Sequence, residues 1–375
     1  MRIAVNARFL IKGKLEGIGW YTYEILRRMV QNHPEDEFIL IHDRPLAEEY
    51  IFADNVKSAQ TLIPSRHPIL WYLWFEYSVP NILKKYKPDV FLSFDGYLSI
   101  KTDIPTVYVL HDLAYIHCPN EIPKTVLWFY QKFTPQYLER ADRIVSVSAH
   151  GKQDLLQHFP HLQANTMDIV GNAARSIFKP LSKIESKKIR DKYSDGHPFF
   201  FYVGAVHPRK NISRLIQAFD IFSEQYPDCQ LLIAGRNAWK TEHIQKTHDE
   251  SKQKDKIKFL GYIEDDTMAK LMASAMAFVY PSLFEGFGVP VLEAMHCETP
   301  VITSQQSPMA EITNNASLQI DPHITKDIAK ALSNLYTNEG LREQLVQNGR
   351  IQREKYNWDT SAMEMYNILQ KTIKK

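Results

Sequence analysis

The residues best suited to chemistry lie in one run, Pro281-Ser-Leu-Phe-Glu-Gly-Phe-Gly-Val-Pro-Val-Leu-Glu-Ala-Met295, between an apolar strand-like segment and a helical pattern. Gly286 and Gly288 permit positive φ and a close approach of backbone to ligand. Gly288 suits an N-cap and Pro290 the first helical turn, where a missing N–H costs nothing. The N–H groups left over at such a helix start attract anionic oxygens, phosphate above all. Glu293 is expected in that first turn, its side chain leaning back toward the helix start. A carboxylate there suits paired hydroxyls such as those of a ribose. Glu285, ahead of the glycines, suits the hydroxyls of a sugar on the far side of a diphosphate.

A second run, Tyr202-Val-Gly-Ala-Val-His-Pro-Arg-Lys-Asn-Ile212, has the same layout of strand, loop and helix. Gly204 ends the strand, and Asn211 is placed to cap the helix. Arg209 and Lys210 then sit where two cations could neutralise a diphosphate leaving group. A solvated basic turn is the plain alternative. Two further loops follow N-terminal strands. Gly17-Ile-Gly-Trp-Tyr21 reads as a glycine turn opening a helix, although it lacks the third glycine of a dinucleotide fingerprint. His111-Asp-Leu113 closes an apolar run, where the histidine is either structural or aimed at a ligand.

Such loops need a scaffold that gathers strand ends. Strand-like runs at 3–6, 38–41, 89–93, 106–110, 143–147 and 168–170 alternate with helical patterns, among them 20–30, 127–138 and 151–158. The alternation restarts at 199–203, continues with a helix over 212–226, and adds strands at 230–234, 257–260, 276–280, 300–303 and 318–320. Alternating strands and helices imply parallel sheets covered on both faces, so the fold class is α/β with two Rossmann-like doubly wound domains. In such sheets ligands bind beyond the carboxyl ends of the strands. The lysine-rich stretch 180–197 carries no strand signal and marks the seam. The expected division is an acceptor domain over 1–180, a donor domain over 181–355, and a C-terminal helix over 356–375 that could pack on either domain, with packing back on the first as one option.

The 375 residues are too many for one ordinary core. A net charge of +2 argues against a nucleic-acid partner, so an anionic ligand has to be held locally. Cys118, Cys229 and Cys297 are scattered, odd in number and without metal-ligand spacing, which fits a reducing compartment. The N-terminus reads as a first strand, not a signal peptide. A cytoplasmic protein is expected. The aromatic stretch 69–77 with Lys84, Lys85 and Lys87 reads mainly as a buried helix; peripheral contact with the inner face of a membrane is its alternative.

Together these residues resemble family 4 of the retaining glycosyltransferases, which have the two-domain GT-B fold. The resemblance runs through Gly17-Ile-Gly19, His111-Asp-Leu113, Val145-Ser-Val-Ser148, Gly171-Asn172 with Phe178-Lys-Pro180, Pro208-Arg-Lys-Asn211, and Glu285 to Glu293 with seven residues between. It implies that the two domains face each other across a cleft and that the enzyme is a mannosyltransferase-like hexosyltransferase. It further implies that Arg209 and Lys210 grip the diphosphate, Glu285 orients the donor sugar and Glu293 holds the ribose. The backbone of Gly286, Phe287, Gly288 and Val289 would lie along sugar and diphosphate. His111 would line the donor sugar, with Gly17, Gly19 and Gly204 near the diphosphate. Ala205 departs from the pattern, since many members have arginine there, and it shifts weight onto Arg209 and Lys210.

The implied substrates are a GDP- or UDP-hexose, of mannose or glucose type, and a glycan or lipid-linked acceptor. GDP-mannose leads by family analogy alone. No Asp-x-Asp pattern and no His/Asp clustering suited to a metal is visible in the sequence, so no cofactor and no metal are expected. A non-catalytic nucleotide-sugar or glycan-binding protein and a GT-B nucleotide-sugar epimerase are the alternatives. A dehydrogenase lacks its full glycine fingerprint here. A glycosidase needs two carboxylates flanking a bond, whereas Glu285 and Glu293 read as hydroxyl binders.

Overall fold

A computed structural model describes residues 1–236 and 242–374. The chain forms two compact units, Met1–Asn172 with Asn357–Lys375, and Ala173–Tyr356.

In the first unit the chain runs through β1 (Arg2–Asn6), α1 (Gly17–Asn32), β2 (Glu37–His42), β3 (Val56–Gln60), α2 (Pro68–Leu73), α3 (Val79–Tyr86), β4 (Val90–Ser93) and β5 (Thr106–Leu110). It continues with α4 (Ala114–His117), α5 (Lys124–Arg140), β6 (Arg143–Ser146), α6 (Ala149–His158) and β7 (Met167–Ile169). All seven strands are parallel, in the order β3-β2-β1-β4-β5-β6-β7. The order reverses between β1 and β4. β2 and β4 are almost wholly buried apolar runs, as strands covered on both faces must be. Sequence reading misses β3: its residues Val-Lys-Ser-Ala-Gln bury only Ala59, because an edge strand needs no apolar run.

The aromatic stretch joins α2 to α3 through a π-helical turn, Trp74–Ser78. Trp74, Phe75 and Glu76 are buried, while Ile69, Tyr77 and, on α5, Trp128 are exposed. The stretch is therefore a core helix with a wet edge. No helix among the described residues is long and apolar enough to cross a membrane.

The second unit contains α7 (Lys183–Tyr193), β8 (Phe199–Val203), α8 (Ile212–Ser223), β9 (Gln230–Ala234), α9 (Glu242–Glu250), β10 (Ile257–Gly261), α10 (Asp265–Ser274) and β11 (Ala277–Tyr280). After it come α11 (Val289–His296), β12 (Val301–Ser304), α12 (Pro308–Thr313), β13 (Ser317–Ile320), α13 (Thr325–Thr337), α14 (Glu339–Arg353) and α15 (Trp358–Ile373), the last belonging to the first unit. The six strands are parallel, ordered β10-β9-β8-β11-β12-β13, with the reversal between β8 and β11.

The lysine-rich stretch is mostly helical. Ser182 caps α7 in a capping box with Glu185, so charge without apolar periodicity hid a surface helix. The units divide after Asn172, ahead of that helix.

α15 buries Trp358, Ala362, Met365, Tyr366 and Leu369, spaced by threes and fours along one face. It packs against α1, where Arg28 pairs with Asp359 at 2.5 Å and the Tyr366 hydroxyl donates to Asp36 at 2.6 Å. The Tyr366 ring stacks on His33, and Ser361 donates to the Gly171 carbonyl at 2.9 Å.

Candidate active site

The two runs singled out for chemistry follow β8 and β11, the neighbouring strands at the reversal point of the second sheet. A doubly wound sheet opens its ligand crevice there, because the flanking crossovers leave in opposite directions. The loops bond to each other along their length. The Leu283 N–H donates to the Arg209 carbonyl at 2.8 Å, and Arg209 Nη1 donates to the Phe284 carbonyl at 2.7 Å. Lys210 Nζ donates to the Tyr280 hydroxyl at 2.8 Å and makes a short ion pair with Glu285. Arg209 lies 3.5 Å from the other Glu285 oxygen.

Lys210 and Glu285 are both buried, and a buried ion is stable only when paired and hydrogen-bonded. Burial by itself raises the Glu285 carboxyl; Lys210 and Arg209 outweigh it and hold the group below its ordinary range. Two cations thus face the one Glu285 carboxylate. Tyr280, missed in the sequence, ends β11 stacked on Tyr202 with ring centroids 5.7 Å apart. A polar aromatic closing the strand just before the glycine loop was the signal for it.

Gly288 takes φ +98° as the N-cap of α11, and a Cβ there would meet Met309 Cγ at 2.4 Å. Glycine is obligatory on both counts. Phe287 is buried with its ring edge-on to Tyr356, and Val289 opens the helix. Gly286 lies between Glu285 and Phe287 in the loop. Gly204 follows β8 directly. Its carbonyl would be only 1.8 Å from a Cβ on Gly235, so the loops after β8 and β9 pack backbone to backbone.

Two local expectations are corrected. Asn211 does not cap α8 with its side chain; it donates to the carbonyls of Pro281 at 3.1 Å and Pro322 at 2.7 Å, tying three loops together. Glu293 falls in the second turn of α11, because the helix starts at Val289. It is buried, 3.4 Å from Arg175 Nε, and Arg175 Nη1 also donates to Asp265 at 2.6 Å. Burial pushes the Glu293 carboxyl up to about 7, with Arg175 opposing and Asp265 reinforcing the rise. Nothing local marks Arg175, whose partners lie 118 and 90 residues away.

In the first unit, His111 follows β5 and its Nε2 lies 2.7 Å from the Phe94 carbonyl. A carbonyl can only accept, so Nε2 carries the proton and Nδ1 is the acceptor. Burial lowers the ring's pKa, so the imidazole is neutral at pH 7. Tyr21 holds it edge-on at 5.1 Å. Gly17 and Gly19 are not a turn ahead of α1 but its first residues, and a Cβ on Gly19 would come 3.0 Å from the Phe9 carbonyl. Gly19 thus serves close packing of the β1 loop, whereas a Cβ on Gly17 would meet nothing within 4 Å. At the reversal point between β1 and β4 lies a pair the sequence did not reveal. Arg8 is bonded to Asp95 and buried over the rings of Phe75 and Tyr97.

The expected absence of His/Asp clustering is also corrected. His117, Asp154 and His158 converge from α4 and α6, and His33, Glu35 and Asp36 group after α1. His117 and Asp154 are 37 residues apart, a proximity only the packing of α4 on α6 creates. Neither group belongs to the loops after β8 and β11.

Residues 15–174 match the family model described as Glycosyltransferase Family 4, and residues 183–352 the one described as Glycosyl transferases group 1. The O-antigen chain mannosyltransferase B of Escherichia coli is 26% identical over 96% of this chain and 98% of its own. Among solved structures, the sucrose-phosphate synthase of Thermosynechococcus elongatus aligns over 99% of this chain and 98% of its own, with TM-score 0.79 and 18% identity. Anabaena HepE in complex with UDP and glucose aligns over 98% and 99%, with TM-score 0.75 and 15% identity. At such identities the structures establish the GT-B fold alone.

Proposed function

The chain belongs to the glycosyltransferases of family 4 and group 1, one model matching each half, and from that premise we propose that it transfers a mannosyl residue from GDP-mannose to a glycan or lipid-linked acceptor, with retention. The observation that carries the donor reading is the Lys210–Glu285–Arg209 cluster at the β8/β11 reversal point, beside the N-terminus of α11. The choice of mannose over glucose is supported by the full-length similarity to an O-antigen mannosyltransferase.

In the proposed reaction the acceptor oxygen bonds to the sugar's anomeric carbon on the face the diphosphate leaves. The bond from that carbon to the phosphate oxygen breaks, and the acceptor proton passes to the departing phosphate. The products are a glycoside and a nucleoside diphosphate. Arg209, Lys210 and the N–H groups at α11 take up the charge that develops on the diphosphate, and preorganised donors of this kind are worth roughly 3–4 kcal/mol each in favourable cases. Glu285 keeps Lys210 in place and orients sugar hydroxyls; Glu293 holds the ribose. The roles of His111, Gly17, Gly19 and Gly204 at the donor follow the family resemblance.

No metal is required in this reading, because protein cations neutralise the diphosphate. The test is release of GDP from GDP-mannose, against UDP from UDP-glucose, with mannoside acceptors and with or without EDTA. Release that needs acceptor, prefers GDP-mannose and survives EDTA is the expected result. Loss of turnover in EDTA, restored by Mg²⁺ or Mn²⁺, would defeat the metal-independent mechanism.

Exposed Ile69, Tyr77 and Trp128, with Lys101 over the Tyr77 ring and Lys132 over Trp128, support peripheral contact with an anionic lipid surface that presents the acceptor. Trp128→Ala with Lys132→Ala is expected to weaken flotation with phosphatidylglycerol vesicles several-fold. Unchanged flotation counts against the contact.

A further inference from the structure

Glu293, the proposed ribose acid, stands in an ion cluster with two residues from other elements. Arg175 comes from the segment between β7 and α7, Asp265 from the first turn of α10, and Glu293 from α11. The Arg175 guanidinium lies over the Phe178 ring, 5.1 Å from its centroid, and its side chain is only 12% exposed. From that fixed place it donates to Asp265 at 2.6 Å and reaches Glu293 at 3.4 Å. The arginine is thus committed more closely to the half-exposed Asp265 than to the buried Glu293.

We propose that Arg175 and Asp265 are positioning residues that set the charge of Glu293, and so make nucleoside diphosphate binding depend on pH. This rests on the reading of Glu293 as the ribose acid. An ionised carboxylate accepts from both ribose hydroxyls, whereas a protonated one must give up acceptor capacity to its own proton. Binding therefore strengthens as pH rises and Glu293 ionises. Arg175 stabilises the charged form and brings that rise to lower pH. Asp265 acts the other way, by adding a like charge and by competing for the guanidinium.

Other titratable groups lie on α11 and on the elements packed against it. Arg353 on α14 donates to the Met295 and His296 carbonyls at the far end of the helix. Glu311 on α12 acts on Tyr356, and Cys297 is a buried thiol whose ionisation is opposed by burial and then by Glu293 itself. His296 is itself pushed toward its neutral form by burial.

The arrangement predicts opposite shifts from two neighbouring substitutions, which a purely structural role would not produce. Affinities for UDP and for GDP, measured by calorimetry from pH 5.5 to 9, should rise with pH in the unmodified protein. Arg175→Met should move the midpoint up by about a unit and weaken binding at pH 7 three- to tenfold, a unit being a tenfold change. Arg175→Lys, which keeps a charge, should recover most of that loss. Asp265→Asn should move the midpoint down and tighten binding at pH 6 by a similar factor. Glu293→Gln should bind weakly with a flattened profile, and what slope remains measures the terminal phosphate, which titrates near pH 6 in every variant.

Wild-type affinity in Glu293→Gln at all pH values would overturn the ribose reading and this inference with it. A weak, flat Glu293→Gln beside Arg175→Met and Asp265→Asn that both keep the original midpoint would overturn this inference alone. Should Arg175→Met fail to fold by thermal unfolding, the direction of the Asp265→Asn shift decides.

Discussion

At the scale of single residues, the proposed donor site places charge where burial makes it expensive. Lys210 and Glu285 offset each other's desolvation, so breaking the pair strands a charge. Lys210→Ala is expected to lower turnover at least a hundredfold while nucleotide affinity falls less, because in the proposed mechanism its charge matters most as the diphosphate leaves. Near-normal turnover in a folded Lys210→Ala protein would remove the lysine from the mechanism. Glu293 pays in stability. Its carboxyl rises from an ordinary 4.5 to about 7, so the folded state binds that proton more tightly than the unfolded chain does. Its contribution to stability is then complete below pH 4.5 and is lost as pH climbs through 7. Glu293→Gln should therefore gain on the unmodified protein by on the order of 2–3 kcal/mol between pH 4.5 and pH 8. Parallel denaturation curves at the two pH values check this; a constant gap would contradict the burial argument.

At the scale of elements, the loop after β11 works because a helix starts where only glycine fits. Gly288→Ala must relieve both φ +98° and a Cβ 2.4 Å from Met309 Cγ. Left-handed strain alone costs about 1–2 kcal/mol. The variant should lose about 2 kcal/mol or more and bind nucleoside diphosphate at least tenfold more weakly, since the N–H groups of α11 shift. Calorimetry with GDP and UDP beside thermal unfolding tests both. Much of this element was legible in advance: Gly288, Pro290 and the apolar run that follows are local signals for a helix start. The side-chain use of Asn211 was not, because a cap and a cross-loop tie demand the same residue type. Likewise Glu293 shifted from first to second turn with the helix boundary, which sequence patterns locate only to within a few residues.

At the scale of the whole molecule, the chain leaves the first unit after Asn172 and returns to it after Tyr356. Its last helix completes the first unit by covering α1, through Trp358, Met365 and Tyr366. Truncation before Asn357 should thus lower the unfolding temperature of the first unit, exposing the α1 face, and leave nucleoside diphosphate affinity in the second unit within about twofold. A large loss of GDP and UDP affinity would show that the helix supports more than its own unit.

The amino-acid sequence alone determined the alternation of strands and helices, the two runs of the proposed donor site, and the family. Those signals are local: hydrophobic period, turn residues and short motifs act over about ten residues and need no knowledge of neighbours. It did not reveal β3, an edge strand with one buried side chain, nor the helix hidden in the lysine-rich seam. Only the tertiary structure decided that β8 and β11 are neighbours, that Lys210 meets Glu285 across 75 residues, and that Arg175 stands between Glu293 and Asp265. Strand order is set by how the crossovers pack on the sheet, and ion pairs follow from that order. No spacing along the chain encodes either one.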